Sequence, residues 1–308
     1  MPTPLPGQVL ARALCTGVSQ GTEMLLYRGE APSPFDPSLD TPGQPTYPRR
    51  YGYAWVGEVV MGIDDGTGRV ASVPPGTRIF SLAPHADYHV FDPLQVATLP
   101  PEIPAERAVL CANLETAVTC IWDAQISLGD RVIVLGGGIV GLLTAWLAQL
   151  SGTSITLIEP APRRRAAALA LGITSTCTPE EALPSGTADV VIEATGNPTV
   201  LDQAIQHAGQ EARVVIASFY GARTAPVSLG TAFHRRRLAL VASQVSRLPP
   251  SKLPRWTAAR RFELVRQLLR RAELDGLIDP PISFDEAVAA YARLDQAETT
   301  CLQTAFRY

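Results

Sequence analysis

Short apolar runs broken by glycine and proline fill residues 51 to about 110, among them WVGEVVMGI, GTRIF, YHVF and QVATLP. This pattern is typical of a small, twisted, mostly antiparallel β domain. The segment PAERAVLCANLETAVTCIWDA that follows predicts helices. The proline-rich stretch 31–50 fits neither a helix nor a central strand, because each proline fixes φ and lacks an N–H group. It is either a binding loop or lid, or a plain surface insertion.

From residue 131 onward, predicted strands and helices alternate. The predicted strands are 131–135, 154–158, 189–193, 212–217 and 238–245, and the predicted helices are 139–150, 162–171 and 199–208. Such alternation indicates a parallel sheet covered by helices on both faces. The nearly continuous β-branched runs RVIVL and DVVIE are what a doubly buried sheet requires. The pattern therefore predicts an α/β fold with a doubly wound parallel sheet.

Composition narrows the class of protein. The chain has 308 residues, of which 46% are hydrophobic and 18% charged, with a formal net charge of −3, which predicts a globular protein of roughly two domains. This charge gives no electrostatic basis for binding nucleic acid or an anionic membrane. The five cysteines lack C-x-x-C spacing, and free thiols fit a reducing compartment. No apolar run reaches the ~18 residues of a membrane span, and no signal peptide is recognisable, so we expect a cytoplasmic protein.

A glycine turn joins the first strand and helix of the alternating region. In VIVLGGGIVGLLTA, Gly136, Gly138 and Gly141 have G-x-G-x-x-G spacing, and Ile139 and Val140 open the helix. In this context the spacing is typical of dinucleotide binding, with the pyrophosphate on the N–H groups of the helix N-terminus. The alternative is a glycine-rich turn without a ligand.

Residues after the next strands bear on the choice of cofactor. Glu159 ends the second strand, where a carboxylate binds the ribose hydroxyls of NAD and repels the 2′-phosphate of NADP. Arg163 and Arg164 follow, and they could hold that phosphate instead. We favour NAD(H) over NADP(H). Thr195 and Gly196, in EATGNP, end another strand beside the expected cofactor crevice.

In this order, the motifs resemble those of the medium-chain dehydrogenases/reductases, the zinc alcohol dehydrogenase superfamily. The segments that carry the resemblance are PGQVLARALCTGVSQGTE, YGYAWVGEVV, SLGDRVIVLGGGIVGLLTA and LDGLIDPPISFDEAVAAYARLDQ. More narrowly, GVSQGTE, YGYAWVG, PHADYHV and NLETAV are similar to a short, zinc-poor branch that includes hydroxyethyl-chlorophyllide dehydrogenases. The resemblance implies a GroES-like, mostly antiparallel catalytic domain (1–116 and 275–308) and a Rossmann domain (117–274). It also implies a homodimer joined at the apolar edge strand 238–245.

The same resemblance locates the family's catalytic zinc ligands on unsuitable residues. The first ligand falls on Ser19, the second on Tyr53, and the third near Ala112 or Asn113. Hydroxyl, phenol, methyl and amide groups are poor ligands for zinc, which prefers thiolate and imidazole. We therefore expect no zinc.

Hydrogen-bond donors must then stabilise the substrate oxygen. Tyr53 is the first candidate, because a phenol with a pKa near ~10 stays protonated and can donate to a carbonyl; its alternative role is to fill space. His85 is the next candidate, although a loop histidine is more often solvated. Ser19 and Thr22 are further candidates for a proton relay. Backbone capping explains Glu23 and Glu115 without a catalytic role.

The leading hypothesis is a zinc-independent NAD(P)-dependent oxidoreductase that interconverts a secondary alcohol and a ketone on a small to medium biosynthetic metabolite. A second hypothesis is reduction of an activated C=C bond, as in zinc-free quinone and enoyl reductases of the superfamily. A third is a non-catalytic NAD(P) sensor. The sequence does not identify the substrate.

Overall fold

The computed structural model describes residues 1–31, 50–182, 186–296 and 301–308, so most of the proline-rich stretch lies outside the described residues. The chain divides into two compact units: Met1–Ala112 with Arg266–Tyr308, and Asn113–Val265. The sequence predicts boundaries after residues 116 and 274, and the units divide after Ala112 and Val265. Each unit therefore contains one of the two predicted domain types.

The first unit is built on a sheet whose seven described strands run β12-β13-β1-β2-β3-β5, with β4 also paired to β1. Elements are numbered along the whole chain. The strands of this unit are β1 (Val9–Gly17), β2 (Trp55–Gly62), β3 (Arg78–Ser81), β4 (Tyr88–Phe91), β5 (Ala97–Thr98), β12 (Ile282–Ser283) and β13 (Ala305–Arg307). Its helices are α1 (Gln20–Tyr27), α2 (Ala105–Ala108) and α8 (Ala287–Leu294). All strand pairs are antiparallel except β12 with β13, which confirms the predicted mostly antiparallel domain.

Strand β1 organises this sheet because it has partners on both edges. It pairs with β2 along one edge, and along the other with β4 from Val9 to Arg12 and with β13 from Cys15 to Gly17. The end of β1 therefore lies between the segment that leads into β2 and the C-terminal strand. Helices α1 and α8 pack beside it around the fully buried Phe306.

The second unit contains a six-stranded parallel sheet in the order β11-β10-β9-β6-β7-β8, counted over the described strands. These strands are β6 (Arg131–Leu135), β7 (Ser154–Ile158), β8 (Ser175–Cys177), β9 (Ala188–Glu193), β10 (Ala208–Ile216) and β11 (Ala239–Ala242). The helices are α3 (Cys111–Ala124), α4 (Ile139–Leu150), α5 (Pro162–Ala170), α6 (Leu201–His207) and α7 (Ala258–Leu268). The predicted doubly wound α/β fold is confirmed. The two boundaries between the units, after Ala112 and after Val265, fall within α3 and α7.

Two strands of the second unit differ from the sequence prediction. β10 begins at Ala208 rather than 212, with an irregular register between Ala208 and Arg213 and a left-handed φ of 55° at Glu211. The segment contains the polar residues Gln210 and Glu211, so the apolar pattern predicted the start of the strand too late. β11 is shorter than the predicted 238–245, because only four residues pair with β10.

Helix length also bears on membrane association. The longest described helix, α3, has 14 residues, against the ~20 that a membrane-spanning helix needs. Within the described residues, no helix has both the length and the apolar character required to cross a bilayer.

Candidate active site

The glycine turn of the second unit is shaped by contacts that exclude side chains. Gly136 has a φ of +97°, and a Cβ there would lie 2.8 Å from the carbonyl oxygen of Ala194. A Cβ on Gly141 would lie 1.9 Å from the oxygen of Gly136. Gly138, the N-cap of α4, has no other atom within 4 Å of such a Cβ, so the space in front of the helix is open. The turn fits a pyrophosphate received by the first N–H groups of α4, at Ile139 and Val140.

Glu159 lies against this turn. Its side chain is 3% exposed, and its carboxylate accepts hydrogen bonds from the N–H groups of Gly137 (2.6 Å) and Ala161 (2.8 Å). Arg164 lies 3.9 Å from the same carboxylate, which partly neutralises the arginine. Arg163 precedes it in the first turn of α5. A carboxylate thus lies where the resemblance places the adenosine ribose.

The loop after β9 is held by a buried carboxylate that the sequence did not single out. Glu193 is fully buried and accepts hydrogen bonds from the N–H (2.8 Å) and hydroxyl of Thr195 and from the hydroxyl of Tyr220. Burial and the Glu193 charge raise the pKa of Tyr220, so it remains a donor. Gly196 has a φ of +71° and donates its N–H to Ser218 Oγ at 2.8 Å. Thr195 and Gly196 are therefore rigidly placed beside the glycine turn.

Three of the four predicted catalytic side chains form one hydroxyl cluster in the first unit. Ser19 precedes α1, Thr22 lies in its first turn, and Tyr53 precedes β2. The Tyr53 hydroxyl is hydrogen-bonded to Ser19 Oγ and donates to Thr22 Oγ1 at 3.3 Å. Burial raises the pKa of Tyr53 above its usual value, and the Glu23 charge adds to this, while the bonds to Ser19 and Thr22 oppose it. Tyr53 is therefore a neutral phenol at physiological pH.

His85 is not a solvated loop side chain, contrary to the more common role expected of it. Its ring is 8% exposed, and Nε2 lies 3.0 Å from the Glu23 carboxylate, which is itself 2% exposed. Nδ1 lies 2.7 Å from Thr16 Oγ1. The other Glu23 oxygen accepts the N–H of Ser19 at 2.7 Å, and the Tyr291 hydroxyl donates to the oxygen that faces His85. His85 is thus joined to the hydroxyl cluster through Glu23.

Glu23 is the residue of this site whose contacts the sequence interpretation missed. Capping accounts for only one of its oxygens, the one that accepts the Ser19 N–H. Its position in the first turn of α1 signalled the cap, but no local signal pairs it with His85. Capping is also the wrong explanation for Glu115, which forms a largely buried ion pair with Arg261 at 3.0 Å.

The described side chains around the hydroxyl cluster do not fit a zinc ion. The hydroxyls of Ser19 and Tyr53 are bonded to each other, and both ring nitrogens of His85 and both oxygens of Glu23 already have partners. Burial raises the pKa of the nearby Cys15 thiol to about 12, so it is not a thiolate. Over the described part of the chain, no three His, Cys, Asp or Glu side chains are grouped as metal ligands.

Comparison with known proteins identifies the family. A family model described as "Zinc-binding dehydrogenase" matches residues 140–260. The 2-desacetyl-2-hydroxyethyl bacteriochlorophyllide A dehydrogenase of Rhodobacter capsulatus is 30% identical over 234 residues, 73% of this chain and 69% of that protein. The D-guloside 3-dehydrogenase of Escherichia coli K12 is 25% identical over 313 residues, covering 93% and 89% of the two chains.

A solved structure shows the same fold. The crystal structure of 2R,3R-butanediol dehydrogenase from Bacillus subtilis superposes with a TM-score of 0.79 at 21% identity, over 100% of this chain and 94% of that one. The chain belongs to the zinc-binding dehydrogenase family within the medium-chain dehydrogenase/reductase superfamily. It is an NAD(P)-dependent oxidoreductase.

Proposed function

We propose that this protein is a zinc-independent dehydrogenase that interconverts a secondary alcohol and a ketone, with Tyr53 as the proton-donating group. The observation that carries the proposal is the hydroxyl cluster of Ser19, Thr22 and Tyr53. Two of its members, Ser19 and Tyr53, stand at positions where the family has zinc ligands, and they bond to each other.

Each part of the chain has a defined task in this reaction. When bound, the nicotinamide supplies or receives the hydride. The glycine turn and α4 hold the pyrophosphate, and Thr195 and Gly196 line the crevice. In ketone reduction, Tyr53 donates a hydrogen bond and then a proton to the carbonyl oxygen. In alcohol oxidation, its oxygen accepts the substrate proton as its own proton moves to the hydroxyl of Ser19. A positioned donor of this kind replaces part of the stabilisation that a metal supplies. His85 remains the next candidate for this role.

The position of Glu159 supports NAD(H) as the preferred cofactor. A 2′-phosphate would meet a buried carboxylate, while Arg164, 3.9 Å from that carboxylate, is already paired with it. Like charges at such short range disfavour binding of the phosphorylated cofactor.

The names of the relatives support a carbonyl substrate over an activated C=C bond. The proteins from Rhodobacter capsulatus and Escherichia coli are both named as dehydrogenases, of a hydroxyethyl bacteriochlorophyllide and of a guloside. By analogy, we assign a small to medium biosynthetic metabolite with a secondary hydroxyl group as the substrate. The five free cysteines fit the reducing cytoplasm.

The edge strand β11 supports a homodimer. Among the described strands it pairs only with β10, and its residues are partly or fully exposed. An apolar edge of this kind is stabilised when a second copy pairs with it.

Turnover after metal removal tests the proposed function. The protein is dialysed against EDTA, its zinc content is measured by elemental analysis, and NADH oxidation is followed with a panel of ketones and, in parallel, enones. We expect ketone turnover that survives chelation with far less than one zinc per chain. Stoichiometric zinc together with loss of activity on chelation would refute the zinc-independent mechanism, and turnover of enones alone would refute the carbonyl substrate.

A further inference from the structure

A continuous series of hydrogen bonds leads from the candidate active site to the surface of the first unit. It consists of Glu23, His85, Thr16 and Tyr308, which we name the Glu23–Tyr308 path. Successive distances are 3.0 Å from Glu23 to His85, 2.7 Å from His85 to Thr16, and 3.1 Å from Thr16 to Tyr308. The proposed role of Tyr53 uses none of these four side chains.

The members of this path differ from an ordinary structural network in that each can pass a proton on. The Glu23 carboxylate only accepts, so a neutral His85 carries its proton on Nε2 and accepts from Thr16 at Nδ1. The Thr16 hydroxyl then accepts from Tyr308. When the neutral ring carries its proton on Nδ1 instead, the bonds to Thr16 and Tyr308 reverse direction without moving a heavy atom. The path therefore has two hydrogen-bond orientations with the same geometry.

Burial separates the two ends of the path. Glu23 is 2% and Thr16 1% exposed, whereas Tyr308 is 36% exposed. Tyr308 lines a groove of about 410 Å³ that also exposes the charged side chains of Arg12 and Asp87. Solvent and the carboxylate of Asp87 thus lie at the outer end of the path, whereas the side chains of Glu23, His85 and Thr16 are buried.

Ser19 joins the inner end to Tyr53. Its N–H donates to Glu23 at 2.7 Å, and its hydroxyl bonds to that of Tyr53. Ser19 therefore contacts Glu23 through its backbone and Tyr53 through its side chain. The Glu23 charge is close enough to Tyr53 to help raise the pKa of the phenol.

We propose that the proton exchanged at Tyr53 travels between the active site and solvent through Ser19 and the Glu23–Tyr308 path. This inference rests on the proposed function. In alcohol oxidation, the hydroxyl O–H bond breaks, the carbon loses a hydride with its electron pair to the nicotinamide, and the carbonyl forms. With the proton of neutral His85 on Nδ1, the released proton passes from Tyr53 to the Ser19 hydroxyl, and rotation of that hydroxyl transfers it to Glu23. Glu23 then gives a proton to Nε2 of His85 while Nδ1 releases its proton to Thr16, and Tyr308 passes one to water in the groove, so that His85 ends with its proton on Nε2. Ketone reduction runs the same transfers in reverse.

Thr16 is the best position for a test, because it is in the middle of the path and bonds to neither Tyr53 nor Ser19 among the described contacts. Thr16→Val keeps the shape and removes the hydroxyl, and Thr16→Ser restores the hydroxyl. Thr304→Val is the matched control, since Thr304 is a threonine of similar burial (3% exposed) in the same unit, outside the path. The readouts are kcat, the solvent deuterium isotope effect on kcat, NADH affinity and thermal stability.

We expect Thr16→Val to lower kcat by about 10²-fold, the lower end of what proton transfer by a positioned group contributes. Its solvent isotope effect should rise, because proton transfer becomes rate-limiting. Thr16→Ser should recover most of the rate, and Thr304→Val and the NADH affinity of all variants should match the wild type. If Thr16→Val does not fold, Tyr308→Phe is the alternative test. This variant keeps the ring that stacks on Phe284 at 4.7 Å between centroids, and it should show the same fall in kcat and rise in solvent isotope effect.

A folded Thr16→Val variant with the kcat and isotope effect of the wild type would overturn the path. Equal losses of kcat in Thr16→Val, Thr16→Ser and Thr304→Val would also overturn it, because they would show that Thr16 matters only for packing. If Tyr308→Phe is used instead, a kcat and an isotope effect equal to those of the wild type would likewise overturn the path. Absence of any alcohol or ketone turnover in the wild type is a separate outcome, which overturns the proposed function and the path with it.

Discussion

Removing the hydroxyl of Tyr53 is the sharpest test of the assigned proton donor. Tyr53→Phe keeps the ring and its edge contact with Tyr51, at 6.2 Å between ring centroids, so the packing is preserved. The lost hydroxyl has two partners, Ser19 and Thr22, which leaves each with one bond fewer. In this partly buried site we expect a loss of stability of about 1 kcal/mol.

The expected effect on catalysis is much larger. Loss of one positioned donor to the reacting oxygen typically costs ~10²–10³ in kcat, or ~2.7–4 kcal/mol of barrier height. NADH affinity should stay nearly unchanged, because the glycine turn that holds the pyrophosphate belongs to the second unit. The raised pKa of Tyr53 adds a pH signature. The phenol donates below its pKa, so wild-type ketone reduction should lose this donor only when the pH rises above ~10.

The assay is steady-state NADH oxidation with a ketone that the wild type reduces, together with NADH titration by fluorescence. Tyr27→Phe is the matched control, since Tyr27 is 52% exposed and lies outside the hydroxyl cluster. Wild-type kcat in Tyr53→Phe would refute the reasoning. The role would then pass to His85 if His85→Ala abolished turnover, or to Ser19 if Ser19→Ala did so.

Two further predictions concern the cofactor and the assembly. Titration should show tighter binding of NADH than of NADPH. Glu159→Gln should narrow this difference in affinity, because it removes the charge that repels the 2′-phosphate. Tighter NADPH binding that is lost in Arg163→Ala would show instead that the arginines determine the choice of cofactor. Light scattering at micromolar concentration should give the mass of a dimer, and replacing Val241 in the edge strand β11 by lysine should shift it toward monomer; a monodisperse wild-type monomer would contradict this expectation.

The sequence predicted three elements of the second unit to the residue. Strands 131–135 and 154–158 and helix 139–150 lie where they were expected, because short β-branched runs alternate there with an apolar segment of helix length. The glycine turn was equally predictable, because its glycine spacing between a strand and a helix is a local signal, and the structure leaves no room for a Cβ at Gly136 or Gly141. The irregular start of β10 was not predictable from the sequence, because its polar residues do not form the apolar run of a buried strand.

In the candidate site, the sequence by itself determined the chemical types: hydroxyls at Ser19 and Tyr53, where the resemblance places metal ligands, and a carboxylate at the end of the second parallel strand. Only the tertiary structure decided which side chains meet. Glu23 and His85 are 62 positions apart, and Thr16 and Tyr308 are 292 positions apart. These contacts depend on the register of β1 with β2 and β13, which is fixed by packing across the sheet. A hydrogen bond between distant residues leaves no period in the sequence, so the Glu23–His85 pair became visible only in the folded chain.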